Sequence, residues 1–253
     1  MKQRIRDIIQ YKTYAELKAE SQRYYLGFLW WLIEPVIYML VFYFVFGILF
    51  QRGTEDFVVF LLTGLVFWHW FQSTVMQGVD TLQANRVLYN QVFVPKYLFP
   101  AVVMLKNSAK FGVVLAVLLL FLLVYGINPS APWFTALPVL AVGGAFIAGT
   151  TALVAAITPF VPDLRVLIEN GMRALLFMSG IFYDINSFQT PYRIVFELNP
   201  VALLIDNLRS VLLRNQFPDW GELAAVFLLA TVLGLAGLAL MRANESRYAK
   251  IAY

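Results

Sequence analysis

LAAVFLLATVLGLAGLALM, residues 223–241, carries no charged side chain, and LIEPVIYMLVFYFVFGILF, residues 32–50, carries one, Glu34, at its lip. A run of roughly 20 apolar residues crosses the hydrocarbon core of a bilayer as a helix. Within such a run the helix satisfies its own backbone hydrogen bonds. The solvent is therefore decided before any motif is read: this chain is built for lipid. Working outward, runs at 57–79, 111–125, 133–160 and 166–183 complete six predicted spans. The third reaches upstream through 98–105 only if Lys106, Asn107 and Lys110 face other helices, a cavity or the interface. The fourth is too long for one perpendicular crossing.

Composition agrees. Hydrophobic residues are 60% and charged residues 13% of 253 positions, and the mean hydropathy is +0.71. A soluble domain carries about 25% charge, so no sizeable soluble domain is expected. The reading is a single transmembrane domain over 1–253: a cytoplasmic or interfacial helix at 1–31, six spans within 32–241 and a cytoplasmic tail at 242–253. No cleavable signal peptide is expected, because the first 25 residues are polar and the first apolar run lacks a small-residue cleavage site.

Orientation follows from the placement of Lys and Arg. Of the 19, fifteen fall in the N-terminal tail, the second-to-third loop, the fourth-to-fifth connection and the C-terminal tail. Four, Arg52, Arg193, Arg209 and Arg214, fall on the other side. That asymmetry predicts both termini in the cytoplasm and hence an even number of spans.

Three stretches do not span. Thr13-x-x-Glu16 has the spacing of a helix-capping box. Tyr14, Leu17, Ser21, Tyr24 and Phe28 then fall near one helical face, opposite Lys18 and Arg23, predicting an amphipathic helix on the cytoplasmic leaflet. With Asp80 as a cap and Pro95 as a stop, residues 81–90 read as a short cytoplasmic helix, a solvated loop being the alternative. On the outer side, Val201, Leu204, Ile205, Leu208, Val211 and Leu212 recur at helical spacing. Asp206, Asn207, Arg209 and Ser210 are expected on the opposite face, and Asn199-Pro200 is a helix-start signal. This segment predicts short outer-side re-entrant helices before the last span.

Catalytic chemistry is not expected. The chain has no G-x-x-x-x-G-K-[ST] loop to cradle phosphates, no H-E-x-x-H and no G-x-S-x-G. It has no Cys and one His, so thiolate sites and His clusters fall away, and no metal site or catalytic residue is assigned. Glu34, Glu169 and Arg173 are the charges nearest the membrane. Glu169 and Arg173 lie four apart and share a helical face. Central parts of the spans lack the acids that a proton relay needs. Tyr38, Phe42 and Phe46, four apart on the first span, form an aromatic stripe suited to stacking on sugar faces, or to lipid and helix packing. Trp68, Trp70 and Phe71 are read as packing or interfacial anchors.

The order of short motifs resembles the integral membrane permease subunit of bacterial polysaccharide ABC exporters, of the O-antigen and capsule type. Residues 26–35 (LGFLWWLIEP) look like that family's approach to its first span, 45–47 (VFG) like that span's close and 62–65 (LTGL) like the opening of the second. Residues 85–95 (NRVLYNQVFVP) are similar to its loop between spans two and three, and 162–165 (PDLR) to its second cytoplasmic loop. There the family more often has an aromatic-arginine-aspartate order. Asn199-Pro200 with Arg209 resembles the segment before the last span.

The resemblance implies an all-α homodimer in the bacterial inner membrane, enclosing a channel and docked on two separate ABC ATPase subunits that bind ATP and Mg. Its partners would be membrane lipid and a lipid-linked polysaccharide, O-antigen favoured over capsule or teichoic acid, and not nucleic acid. Coupling to the ATPase is then expected at Asn85, Arg86, Asn90, Asp163 and Arg165. The outer gate is expected at Asn199, Pro200 and Arg209, and the channel at Tyr38, Phe42 and Phe46. Two other classes stay open: a membrane transferase acting on lipid-linked sugars, and a non-transporting assembly subunit.

Overall fold

The computed structural model describes residues 2–22, 25–42, 44–45, 48, 56–91, 94–185 and 193–248. Among them every regular element is helical: α1 (Lys2–Gln22), α2 (Trp30–Phe42), α3 (Phe57–Ala84), α4 (Arg86–Gln91), α5 (Leu98–Tyr125), α6 (Ala136–Ile157), α7 (Asp163–Met178), α8 (Arg193–Glu197), α9 (Pro200–Leu212), α10 (Trp220–Ala243) and α11 (Glu245–Tyr248). Four helices are long and apolar enough to cross a membrane: α3, α5, α10, and α6 together with the 3-10 turn Ala131–Thr135 that leads into it. The described part of α2 has 13 residues and α7 has 16, both short of the ~20 that a perpendicular crossing needs. Most of the predicted first span after Phe42 lies outside the described residues.

α5 settles the upstream extension of the third span. It runs unbroken for 28 residues from Leu98, because each of its polar interruptions meets a partner on another helix. It ends where Gly126 takes φ +100°, a left-handed conformation that glycine adopts without a Cβ clash. There the Gly126 and Ile127 N–H groups donate back to the Leu123 and Leu122 carbonyls, as helix-terminating glycines do.

α3 is the central post. One face buries Val59, Phe67, Phe71 and Val75. Trp70 stacks on Phe111 of α5 at 4.1 Å between ring centroids, and Phe71 lies 5.9 Å from Phe146 of α6. Trp68 and Trp70 are likewise buried, so these rings pack the core. α6 and α10 form the tightest pair. A Cβ added at Gly149 would lie 2.5 Å from the Ala230 carbonyl oxygen, and one at Gly237 would lie 2.7 Å from the Ala152 carbonyl carbon. Small residues let membrane helices meet backbone to backbone and gain van der Waals contact.

Three local expectations are corrected. α1 is continuous across Thr13, so the Thr13–Glu16 pair is not a capping box; Glu16 reaches Lys12 at 3.2 Å and Lys106 at 3.3 Å instead. The face of α1 turned to the protein is Ile5, Ile9, Lys12, Glu16 and Glu20, while Tyr14 is 64% exposed. Leu17 and Ser21 are half-buried; Tyr24 and the Phe28 side chain lie outside the described residues. Residues 81–90 are not one helix: α3 carries on through Thr81 to Ala84, and α4 starts afresh at Arg86. Burial of Val79, Thr81 and Leu82, with the Thr158 hydroxyl donating to the Val79 carbonyl at 2.8 Å, extends α3 past Asp80.

In α9 the six predicted apolar positions are all buried. Asn207 and Arg209, expected on the opposite polar face, are buried as well, at 3% and 2% exposure. α9 has neighbours on both sides, and its polar groups serve as ties.

Candidate functional site

α3 carries a second stripe. His69, Gln72, Ser73, Met76, Gln77 and Asp80 recur at three- and four-residue spacing, which places them on one helical face, and all are half-buried. The stripe lines two adjoining cavities. One, of about 580 Å³, is walled by Trp31, Tyr38, Trp68, His69, Asn107 and Lys110 among others. The other, of about 840 Å³, is walled by Asp80, Asn85, Lys106, Arg165, Glu169 and Arg173 among others. Gln72, Met76 and Gln77 belong to both walls. Polar side chains on a membrane helix turn to a cavity or a partner, because hydrocarbon leaves them unsatisfied. Gln77 donates to the Asn107 carboxamide oxygen at 3.4 Å. The remaining Gln77 Oε1 and Asn107 Nδ2 have no hydrogen-bond partner.

The charges around the cavities are matched. Glu16 and Glu20, one turn apart on α1, meet Lys106 and Lys110, one turn apart on α5: Glu16 pairs with Lys106 and Glu20 with Lys110. Equal spacing on both helices fixes their register. On the far wall, Arg165 of α7 pairs with Asp80 of α3 at 3.2 Å, and Arg173 with Glu169 at 2.7 Å. His69 lies 3.9 Å from Glu34.

At the end of the bundle where α1 meets α11, an apolar cluster gathers Leu82, Tyr89, Val94, Leu98, Phe99, Val102 and Tyr248, with Ile5 and Ile9 against it. Five helices meet there. The Lys12 ammonium donates to Asn85 Oδ1 at 2.8 Å, and Asn85 Nδ2 donates to the Thr81 carbonyl at 2.8 Å. Asn85 thus joins α1 to the break between α3 and α4. The Tyr248 hydroxyl donates to the Ala156 carbonyl at 2.8 Å. Burial pushes that phenol up to about 12, so it keeps its proton and its role as donor. Burial also lowers the Lys96 ammonium, partly offset by Glu245; its Nζ sits 4.2 Å from the centre of the Tyr89 ring.

The opposite end is tied by Arg209. Its Nε and Nη2 donate to the Phe60 carbonyl at 3.1 and 3.0 Å, Nη1 to the Gly180 carbonyl at 2.6 Å and Nη2 to the Ile181 carbonyl at 3.0 Å. The guanidinium carbon lies 3.3 Å from the centre of the Phe60 ring. A Cβ at Gly64 would come within 2.6 Å of Nη2, so glycine there makes room for the tie. Asn199 caps α9, accepting from the Val201 and Ala202 N–H groups at 3.0 and 3.4 Å. Its amide donates to the Met178 carbonyl and to Ser179 Oγ at 3.0 and 3.2 Å. Pro200 takes the first helical position, where its missing N–H is not needed. Asn207 bonds Glu222 at 2.7 Å and so ties α9 to the start of α10.

The predicted residues therefore fall in separate groups. Asn199 and Arg209 converge on residues 178–181, just past the end of α7. Asn85 and Arg165 line one cavity. Arg86 opens α4 beside them, and Asp163 is exposed in the first turn of α7. The Asn90 and Phe42 side chains and all of Phe46 lie outside the described residues. Tyr38 lines the smaller cavity, half-exposed. Sequence reasoning missed the α3 stripe and the Glu16/Glu20–Lys106/Lys110 match. The spacing of 69, 72, 73, 76, 77 and 80 was the available signal for the first, and equal i, i+4 spacing of opposite charges for the second.

Comparison with known proteins draws these features together. A family model described as ABC-2 type transporter matches residues 9–213. An O-antigen export system permease protein of Klebsiella pneumoniae, RfbA, is 24% identical over 246 residues, covering 97% of this chain and 95% of the relative. The Myxococcus xanthus protein of the same description is 25% identical over 256 residues, covering 97% and 98%. The polysialic acid transport protein KpsM of Escherichia coli is 23% identical over 235 residues, covering 91% and 90%. A family match across most of the residues that build the cavities and both tied ends leaves one conclusion: the chain belongs to the ABC-2 type transporter family.

Proposed function

We propose that this chain is the channel-forming subunit of an ATP-driven exporter that moves a lipid-linked, O-antigen-type polysaccharide across the bacterial inner membrane. The observation that carries the reading is the polar stripe of α3, set on a helix long and apolar enough to span yet lining two adjoining cavities. A helix anchored only for assembly has no use for such a face. Relatives named for O-antigen export, similar over nearly the whole chain, supply the cargo. The relative named for polysialic acid transport supports a capsule-type alternative at lower coverage.

The whole chain works as one transmembrane domain with six spans, α2 with the residues after it and α7 completing the four longest helices. Both termini face the cytoplasm; the convergence of α1 and α11 on one apolar cluster supports an even span count. The working unit is a homodimer with two ATPase subunits, which carry ATP and Mg. α8 and α9 are the re-entrant outer-side pieces, with Asn199, Pro200 and Arg209 forming the gate frame. ATPase closure acts on Asn85, Arg86, Asn90, Asp163 and Arg165. The two-state element is α1 with the α3–α4 break, and its links are Lys12–Asn85 and Asp80–Arg165. Coupling of this kind requires a rigid body that both sites bias. Tyr38, Phe42 and Phe46 offer rings to passing sugars.

Reconstitution with the ATPase tests this. Arg86→Ala and Asn90→Ala should leave ATP turnover running while export falls about tenfold. Tyr38→Ala with Phe42→Ala should lower export while the dimer still assembles. Undiminished export in all of these would remove both the coupling and the path assignments.

A further inference from the structure

Among the described residues, every lysine and arginine that lines the two cavities stands in an ion pair, and this bears on the charge of what passes. Five carboxylates, Glu16, Glu20, Glu34, Asp80 and Glu169, face four lysines and arginines, Lys106, Lys110, Arg165 and Arg173. Each of the four cations has a carboxylate partner, and the fifth acid, Glu34, lies near His69. Among the described residues, no lining cation is left over to hold a carboxylate or sulfate on a polymer. Between the pairs, the wall offers uncharged groups: Gln72, Ser73 and Gln77, with Trp31 and Tyr38 beside them. Amides and hydroxyls exchange hydrogen bonds with sugar hydroxyls, and ring faces stack on sugar C–H faces. A polyanion would meet an excess of acid on the wall, with no lining cation free to offset the repulsion.

We infer that the track along α3 accepts an uncharged glycan and discriminates against a polyanionic one. The inference rests on the exporter reading and narrows its cargo. It also assigns the ion pairs a second role beside holding α1, α3, α5 and α7 in register: they neutralise cations that would otherwise trap acidic sugars. Asp80 and Glu169 are partly exposed, with 38% and 48% side-chain exposure, so their charge can be removed without opening the core.

The test uses the full chain with its ATPase in lipid nanodiscs and two fluorescent probes of equal length, a dextran hexamer and an oligosialic acid hexamer. Binding is read by anisotropy at low and high salt. The dextran probe should bind about tenfold more tightly at low salt, with the gap narrowing as salt screens the wall. Asp80→Asn with Glu169→Gln frees Arg165 and Arg173, and should raise the ratio of oligosialic acid affinity to dextran affinity about threefold; an unchanged ratio would overturn the charge selectivity. Equal binding of the two probes, or tighter binding of oligosialic acid, would overturn the charge selectivity and leave the exporter reading intact. Binding of neither probe, with ATP turnover unresponsive to both, would count against the exporter reading as well.

Discussion

The α6–α10 pair and the wall formed by α3, α5 and α7 are built on opposite rules. α6 and α10 meet through Gly149 and Gly237 with no room for a methyl group, and no side-chain hydrogen bond joins the two helices among the described residues. The α3–α5–α7 wall leaves two cavities, lines them with amides, and crosses them with ion pairs. One half is a scaffold that gains most from shape; the other gives up packing to keep polar groups where a moving chain could use them. In hydrocarbon, water provides no drive for apolar helices to associate, so close contact does that work. An open polar seam in the same molecule marks where function has displaced packing.

Mutations at the two regions, and at Arg209, which ties α9 to α3 and to residues 180–181, should differ in kind. The largest effect is expected at Arg209. Arg209→Met strips the Phe60, Gly180 and Ile181 carbonyls of their donor, and unsatisfied buried groups at about 1–3 kcal/mol each should lower stability by roughly 4 kcal/mol, read as thermal unfolding in detergent. Gly149→Leu should follow, at about 3 kcal/mol from overpacking against Ala230, with α6 and α10 forced apart. Reversing Glu16 and Glu20 to Lys should cost less, roughly 1 kcal/mol, yet strongly reduce export. Adding Lys106→Glu and Lys110→Glu should restore it, and failure of that rescue would show that the α1–α5 register is not set by these pairs. The smallest change in stability is expected at the seam. Gln77→Leu and Asn107→Leu remove orphaned amide atoms, so unfolding should stay put or rise slightly while export drops. A parallel loss of both would assign these amides to the scaffold.

Much of this is legible in the sequence itself. Apolar runs gave α6 and α10 within a few residues but placed the main run of α5 at 111–125, whereas the helix begins at Leu98. Helical spacing gave the six apolar buried positions of α9 but not its buried Asn207 and Arg209. The Asn199-Pro200 start and the Glu169–Arg173 pair were equally local. What escaped depended on distant partners. Arg209 reads as a surface charge on an amphipathic helix until it is known that Phe60, 149 residues away, lends its carbonyl. The α3 stripe escaped for a different reason. His69, Gln72, Ser73 and Gln77 are diluted by Trp68, Trp70 and Phe71 on the other face, so the run still averages as apolar, and a search for intramembrane charge passes over uncharged amides. Lys106 and Lys110 were seen as interruptions, but their partners sit on a helix whose orientation the tyrosines disguised.

The central claim is that the polar face of α3 lies along the path of the exported chain. The sequence has no cysteine, so single cysteines can be placed without background. Ser73→Cys and Gln77→Cys, with Val75→Cys as the core-facing control, should be treated with a membrane-impermeant methanethiosulfonate reagent in the reconstituted complex. The account predicts that the first two react, that Val75→Cys does not, and that lipid-linked glycan slows the reaction at 73 and 77. Stripe cysteines that stay unreactive, or that react at the same rate with and without glycan, would contradict it.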